Sequence, residues 1–328
     1  MAKISAAIAT YCGEKYILRQ LESLFRQTEK IHEIIICDDS PSDTLYNMVS
    51  ALIPEAPCTI KIYRNETPLG PTQNFAKAIS FCTGDLIFLC DQDDVWKEDK
   101  VQKLAAILES DPQADVVFCN SSVVDENLRP LGYSTTDVVK FSAENAGDLN
   151  KGKGILHLLR TPMLYGHNIA MKRSFLPLLL PIPAELPSHD LFIAELCAGS
   201  DRLRCVYEDL TLHCRHGENQ STQKKPGGLL KRLLALLSKK RNGRDTEIYD
   251  SFTHADAAYE RLKMFSEKED FSWPEENMLL LKKSVEYYRT RLALTAKPRF
   301  LRPFFLFTVK GYFTMGYGLR SIVRDLLF

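Results

Sequence analysis

Residues 86–96, Leu86-Ile87-Phe88-Leu89-Cys90-Asp91-Gln92-Asp93-Asp94-Val95-Trp96, decide how the rest of the chain is read. An uninterrupted apolar run of this length suits one strand of a parallel sheet, buried on both faces. It runs straight into three carboxylates within four residues. Such close like charges repel, and the cluster is costly unless a cation neutralises it. Hard divalent ions take oxygen ligands, and Mg²⁺ typically combines one or two carboxylates with substrate phosphates. The spacing therefore suits a cation bridged to a diphosphate rather than an all-protein calcium cage. The plainer alternative is a helix N-terminus whose acidic first turn favours the helix dipole, with Asp94 as the cap.

Working outward, the same design recurs. Short apolar runs rich in β-branched residues occupy 4–9, 33–37, 59–63 and 115–119. Between them lie segments with helical spacing. Ile17, Leu21, Leu24 and Phe25 fall on one face of 14–27, and Val101, Leu104, Ala105 and Leu108 on one face of 97–110. Strand and helix in alternation predict βαβ units: an α/β, Rossmann-like fold, mostly parallel, with helices on both faces of the sheet. Ligands of such sheets bind beyond the carboxyl ends of the strands. There the chain places Thr10-Tyr11-Cys12-Gly13-Glu14, Asp38-Asp39-Ser40, Arg64-Asn65 followed by Gly70-Pro71-Thr72-Gln73-Asn74, and Asp91–Asp94. Polar groups at four successive strand ends outweigh any single motif.

No GxGxxG or GxxxxGK[ST] stands at a βα turn, which argues against a dinucleotide fold and a P-loop NTPase. Asp38 and Asp39 can instead accept hydrogen bonds from a base or ribose. The structural alternative is a loop that caps the following helix through Ser40 or Asp43.

Beyond residue 123 the pattern dissolves, and loops with short elements are expected to 153. Order returns with a helix at 154–159, a strand at 168–172, a helix at 189–198 and a strand at 203–207. Residues 224–244 hold eight basic side chains and no acidic one, with leucines at 229, 230, 233, 234, 236 and 237. Residues 243–297 read as one or two helices, and 300–328 are aromatic and basic with Asp325 the only acid.

Taken in order, these motifs resemble the inverting GT-A glycosyltransferases of family 2. In that family strands end in T-Y-N and D-D-S, a G-x-x-x-N follows the third, and D-x-D-D-x-W follows the fourth. Here Cys12 stands where Asn is usual. The likeness covers roughly residues 3–220 and extends to bacterial rhamnosyltransferase-like members that build surface polysaccharides. It implies that Thr10, Tyr11, Asp38 and Asp39 line a nucleoside pocket. Asn74 would hold the loop near the ribose and donor sugar, Asp91 would face the ribose or sugar, and Asp93 would ligate Mg²⁺ or Mn²⁺. Ser188-His189-Asp190 opens a helix after a Pro-rich segment, where the family carries its general base; Asp190 is that residue here, with a helix cap as the alternative. His213–Ser221 resembles the family's Y-R-x-H-x-x-N-x-S, so Arg215 and His216 would stabilise a leaving diphosphate. His213, Cys214 and His216 have the wrong spacing for a structural zinc site.

The implied activity is transfer of a sugar from a nucleotide-diphosphate donor to a glycan or lipid-linked glycan acceptor. Two alternatives stand beside it. A sugar-1-phosphate nucleotidyltransferase would show G-x-G-x-R-x-x-P near the first strand, and residues 9–14 do not match it. A non-catalytic membrane-surface module would leave Asp91–Asp94 unexplained.

The 328 residues allow about two domains of ordinary size, and the reading is a transferase domain at 1–222 with a helical C-terminal region at 223–328. The 42 basic and 42 acidic residues cancel, so no chain-wide field for nucleic acid exists and no nucleic-acid partner is expected. Nine cysteines without a CxxC pair read as core thiols of a reducing compartment. No run reaches the ~18 uncharged apolar residues of a membrane span. The N-terminus is too weakly apolar for a secretory segment. A cytoplasmic location is expected. The basic, leucine-rich and aromatic tail reads either as packing on the core or as contact with an anionic membrane surface.

Overall fold

A computed structural model describes residues 2–160, 164–217, 242–268 and 272–327. Internal contacts divide the chain into two compact units. One is formed by Met1–Lys151, Met163–Asp190 and Arg202–Gln223, the other by Gly152–Pro162, Leu191–Asp201 and Lys224–Phe328.

The first unit is built on a mixed sheet. Strands β1 (Ile4–Thr10), β2 (Glu33–Asp38), β3 (Thr59–Arg64) and β4 (Leu86–Asp91) run parallel in the order β3-β2-β1-β4. Register pairs Thr10 with Asp38, Asp38 with Arg64 and Ala9 with Asp91, so the four polar strand ends lie side by side. Helices α1 (Ile17–Phe25), α2 (Thr44–Leu52), α3 (Pro71–Phe81) and α4 (Lys100–Ser110) connect or flank these strands. The expected apolar faces are the buried ones: Ile17, Leu21 and Leu24 on α1, and Val101, Leu104, Ala105 and Leu108 on α4. The helix expected from residue 14 begins only at Ile17.

The sheet continues from β4 through antiparallel β8 (Ile169–Lys172) to β6 (Val116–Asp125), then to β9 (Leu203–Arg215), which carries the two-residue β5 (Val95–Trp96) on its far side. Strand β7 (Pro130–Ser134) pairs with β6. The short elements expected after residue 123 are this hairpin and two short helices, α5 (Thr135–Val139) and α6 (Ala143–Leu149), each opened by a serine capping box. One feature differs from the sequence expectation. Strand β9 does not stop at 207 but continues to Arg215 through a register shift opposite Asn120. Asp209 makes that continuation possible by accepting from Asn120 Nδ2 at 2.5 Å and Ser122 Oγ at 2.7 Å. All nine cysteines are free, and seven are buried.

The second unit contains α7 (Ile155–Arg160) and two long helices, here numbered after the short α8 (Leu176–Leu179) and α9 (His189–Ser200) as α10 (Asn242–Lys268) and α11 (Glu275–Thr295). Leu262 and Leu281 meet beside Gly199. Short helices α12 (Arg302–Phe305) and α13 (Leu319–Leu327) follow. Buried Arg291 grips the Asp325 carboxylate through two bonds of 2.7 Å, a bidentate geometry that fixes orientation as well as charge. Among the described residues no helix is long and apolar enough to cross a membrane. The basic leucine-rich stretch 224–241 lies outside them.

Candidate active site

At the end of β2 the carboxylates are fully engaged in shaping loops. Asp38 Oδ1 accepts from Thr10 Oγ1 (2.8 Å), Ser40 Oγ (2.6 Å) and Ser40 N (3.1 Å), while its Oδ2 is buried without a hydrogen-bond partner. Asp39 accepts from Asn65 Nδ2 (2.6 Å) and from the N–H groups of Leu69 (3.0 Å) and Gly70 (2.9 Å). Asn74 receives Asn65 Nδ2 at 2.8 Å and donates to the Cys37 and Thr10 carbonyls. Thr10, Asp38, Asp39, Asn65 and Asn74 thus form one buried network. Gly70 sits at φ 77° at the N-terminus of α3, a conformation open to glycine and strained for other residues. Ser40 and Asp43 do not cap α2 by side chain: Ser40 is committed to Asp38, Asp43 receives Arg64, and the cap position makes no such bond.

Above this network Tyr11 is exposed, and its backbone is clasped on both sides by Gln92, through Oε1 at 2.8 Å and Nε2 at 3.0 Å. The clasp ties the loop after β1 to the acidic turn after β4. It passes so close to Gly13 that a Cβ there would lie 2.2 Å from Gln92 Oε1. Cys12 has φ 50° and donates its N–H to Ser40 Oγ at 2.8 Å. Asn is several-fold enriched in that left-handed region, a physical reason for the family's Asn at this position.

The acidic turn has a different environment. Asp94 is fully buried, accepting from His213 Nδ1 (3.0 Å) and the Cys214 N–H (3.1 Å) through Oδ1. Its Oδ2 has no hydrogen-bond partner and lies 3.5 Å from His167 Nδ1, which is also 3.4 Å from Asp91 Oδ2. The His167 and His213 rings stack 4.7 Å apart. Burial alone would raise the Asp94 pKa, but the charges of His167 and His213 and the bonds from His213 and Cys214 hold it below the ordinary range. Burial would lower His213, yet Asp94 lifts it above the usual imidazole range. Asp93 goes the other way: burial, then the charges of Asp94 and Asp91, push its carboxyl up to about 8. Asp93 Oδ2 is 2.7 Å from His216 Nε2, and His216 stacks on Tyr16 at 4.4 Å. Asp94 is not the helix cap of the plainer alternative, because α4 starts only at Lys100 with Asp99 at the cap position.

A divalent cation fits this turn. Asp91, Asp93 and Asp94 bring one oxygen each within 4.8 Å of one another, a crowding of carboxylates that a cation would relieve. Asp94, His167 and His213 also lie close enough to hold an ion. Their two rings, however, are parallel to within 4°. A coordinated ion lies in the plane of the imidazole that binds it, so one ion cannot serve both stacked rings. Asp94 Oδ1 is already engaged by His213 and the Cys214 N–H, and Asp91 and Asp93 offer the further carboxylate oxygens for an ion.

Arg215 closes β9, paired in register with Asp125. His213 faces Asp94 and His216 faces Asp93, while Cys214 Sγ lies 3.5 Å from Arg19 Nη2, so the three do not converge on one ion. Glu218 to Ser221 lie outside the described residues. Asp190 lies in the first turn of α9 and accepts from Ser188 Oγ. Its neighbour His189 is buried against Phe75 at 4.3 Å, and burial depresses its pKa while the charges of Asp190 and Asp91 oppose that.

Sequence reasoning missed Asp94 as an ion-pair centre, His167, and Lys100. Lys100 is fully buried over the Trp96 ring at 3.8 Å and donates to the His167 carbonyl (2.7 Å) and Thr211 Oγ1 (2.9 Å). The signal for Asp94 was its place in the D-x-D-D run; nothing local marked the other two.

A mixed α/β sheet with acids and amides gathered at its parallel strand ends is the architecture of a GT-A glycosyltransferase. Residues 5–178, just over half of the chain, match the family described as Glycosyl transferase family 2, and the chain belongs to it. An uncharacterized glycosyltransferase of Nostoc sp., alr2836, is 29% identical over 145 residues, 44% of either chain. The abequosyltransferase RfbV of Salmonella typhimurium is 32% identical over 120 residues, 36% of this chain and 35% of that one. The chain thus spans less than half the length of these relatives. Among solved structures, the mannosyltransferase PcManGT of Pyrobaculum calidifontis, in complex with GDP-Man and Mn²⁺, superposes with a TM-score of 0.55 at 14% identity, covering 98% of this chain and 78% of that one. Residues 1–349 of S. aureus TarS with UDP-GlcNAc give 0.52 at 18%, covering 97% and 92%. At such identities the likeness establishes the fold.

Proposed function

We propose that this protein transfers a sugar, with inversion, from a nucleoside-diphosphate donor to a hydroxyl of a glycan or lipid-linked glycan. The setting would be bacterial surface polysaccharide synthesis at the cytoplasmic face of a membrane. The observation that carries this reading is the juxtaposition of the Asp38–Asp39–Asn74 network with the Asp91–Asp94 turn, joined by the Tyr11–Gln92 clasp. The similarity to an abequosyltransferase and to folds solved with GDP-Man or UDP-GlcNAc supports it.

The catalytic parts fall within residues 1–222, leaving 223–328 as an accessory helical region. Tyr11 offers an exposed ring to the base, and buried Asp38 fixes Thr10 and Ser40 behind the pocket. Thr10, Asp39 and Asn74 hold the walls of that pocket. Asp91 and Asp93 would hold Mg²⁺ or Mn²⁺, which supplies Lewis-acid neutralisation of the diphosphate. Arg215 and His216 add positive charge where the leaving group gains negative charge. Asp190 takes the acceptor's proton as that oxygen bonds to the anomeric carbon and the bond to the diphosphate breaks. One displacement inverts the configuration.

Ligands that bind the native state raise its melting point, so thermal unfolding with UDP, dTDP, GDP and CMP, each with and without Mn²⁺, tests the reading. The expected result is a metal-dependent rise with one nucleoside diphosphate that disappears in Asp93→Ala. The reading fails if no nucleotide shifts the transition, or if Asp93→Ala and Asp190→Ala both keep near-normal transfer with that donor.

A further inference from the structure

Residues 297–324 carry six basic side chains and no acidic one. Within them Phe300, Phe304, Phe307, Phe313, Tyr317 and Leu319 are each 56–77% exposed. Large aromatic side chains ordinarily bury, and soluble chains seldom present several together without a partner.

These rings stand on a firmly held frame. The buried Arg302 guanidinium donates to the carbonyls of Lys297 (3.0 Å), Thr295 (2.7 Å) and Asp325 (2.7 Å). Tyr312 Oη donates to Asp325 Oδ2 at 2.9 Å. Arg160 Nε donates to the Thr314 carbonyl at 2.6 Å, and Tyr317 Oη returns to the Arg160 carbonyl at 3.3 Å. Val309, Tyr312 and Met315 point inward. Phe300, Phe304 and Phe307 stand exposed along the short helix α12 and the 3-10 turns on either side of it, while Arg302 between them is buried. On α13, Leu319 and Val323 form a second exposed stripe opposite buried Ser321 and Asp325. The exposed aromatic side chains present their rings to solvent.

We propose that this face docks the chain on an anionic lipid bilayer. Phe300, Phe304, Phe307 and Phe313 would enter the boundary between headgroups and acyl chains, while Arg299, Lys310 and Arg320 meet lipid phosphates. Charge decides the occupant. A second copy of the face would set cations against cations, whereas an anionic surface complements it. Exposed rings suit a bilayer, which needs no matching shape. The inference goes beyond the transfer reaction and does not depend on it.

The test is co-sedimentation of the full chain with phosphatidylcholine vesicles, with and without phosphatidylglycerol, at low and high salt. The expected result is binding to the anionic vesicles only, weakened by salt. Phe304→Ser with Phe307→Ser should reduce partitioning about tenfold or more with unchanged thermal unfolding, because both rings are solvent-exposed. Lys310→Glu with Arg320→Glu should reduce it without touching the rings. No binding, equal binding to neutral vesicles, or full binding by the phenylalanine variant would overturn the proposal. So would a dimer, detected by light scattering, that the phenylalanine variant dissociates, since that would assign the face to a second copy.

Discussion

Asp38-Asp39 and Asp93-Asp94 are adjacent buried aspartates at the ends of the two strands that flank β1, yet their partners differ in kind. The first pair is surrounded by neutral donors: hydroxyls, an amide and backbone N–H groups. The second pair faces imidazoles. Neutral donors hold a carboxylate in one geometry at any ordinary pH. Imidazoles balance its charge as well, and at Asp93 the balance is incomplete. The first pair fixes loop geometry; the second is tied to titratable rings.

Substitutions can break this contrast. The largest stability effect is expected from Asp94→Ala, which strands His213 and His167 without their shared carboxylate. Breaking one side of a buried pair typically costs ~3–5 kcal/mol, measurable by urea unfolding. A loss below ~1 kcal/mol would mean that the histidines are neutral and the ion pair is absent. Asp38→Ala removes three accepted bonds at once and should cost about 2–4 kcal/mol at net values near 1 kcal/mol each. Nucleotide-induced stabilisation should fall with it, because Thr10 and Ser40 lose their common anchor.

Glu195 sharpens the comparison as a buried carboxylate with neither kind of environment. Its Oε2 has no hydrogen-bond partner, and burial pushes its pKa up to about 8 from an ordinary 4.5. Between those values the folded chain keeps a proton that the unfolded chain has lost, so stability falls as pH rises through this window. Glu195→Gln should remove that slope. Its advantage over the native chain should be absent below pH 4.5 and grow to a few kcal/mol near pH 8. Parallel stability–pH curves for the two proteins would show that Glu195 has a compensating partner.

The smallest effect is expected at Cys12→Asn. Asn tolerates φ 50° better than Cys, so the melting temperature should rise modestly, by less than about 1 kcal/mol in stability. A clear loss would show that the thiol itself is anchored.

Much of the site was legible because it is built from local sequence. Each of the four parallel strands is a short apolar run, and the polar residue that ends it sits at the sheet edge whatever the rest of the chain does. The helical periodicity of α1 and α4 likewise survived into the fold, because one face of each had to meet the sheet. Strand β9 was less legible. Glu208-Asp209 interrupts its apolar pattern, and only Asn120 and Ser122, almost ninety residues away, make Asp209 acceptable within a sheet.

The sequence by itself determined the α/β alternation, the family, and the acids at the strand ends, because periodicity and strand-end position are properties of neighbouring residues. The partners of those acids, and so the opposite pKa shifts of Asp93 and Asp94, came only with the tertiary structure. His167, His213 and His216 reach the acidic turn from the turn before β8, from β9 and from just past its end. Lys100, a residue type that ordinarily stays in water, is buried there over Trp96. A carboxylate's charge depends on what surrounds it in space, and those surroundings are assembled from segments that no local pattern brings together.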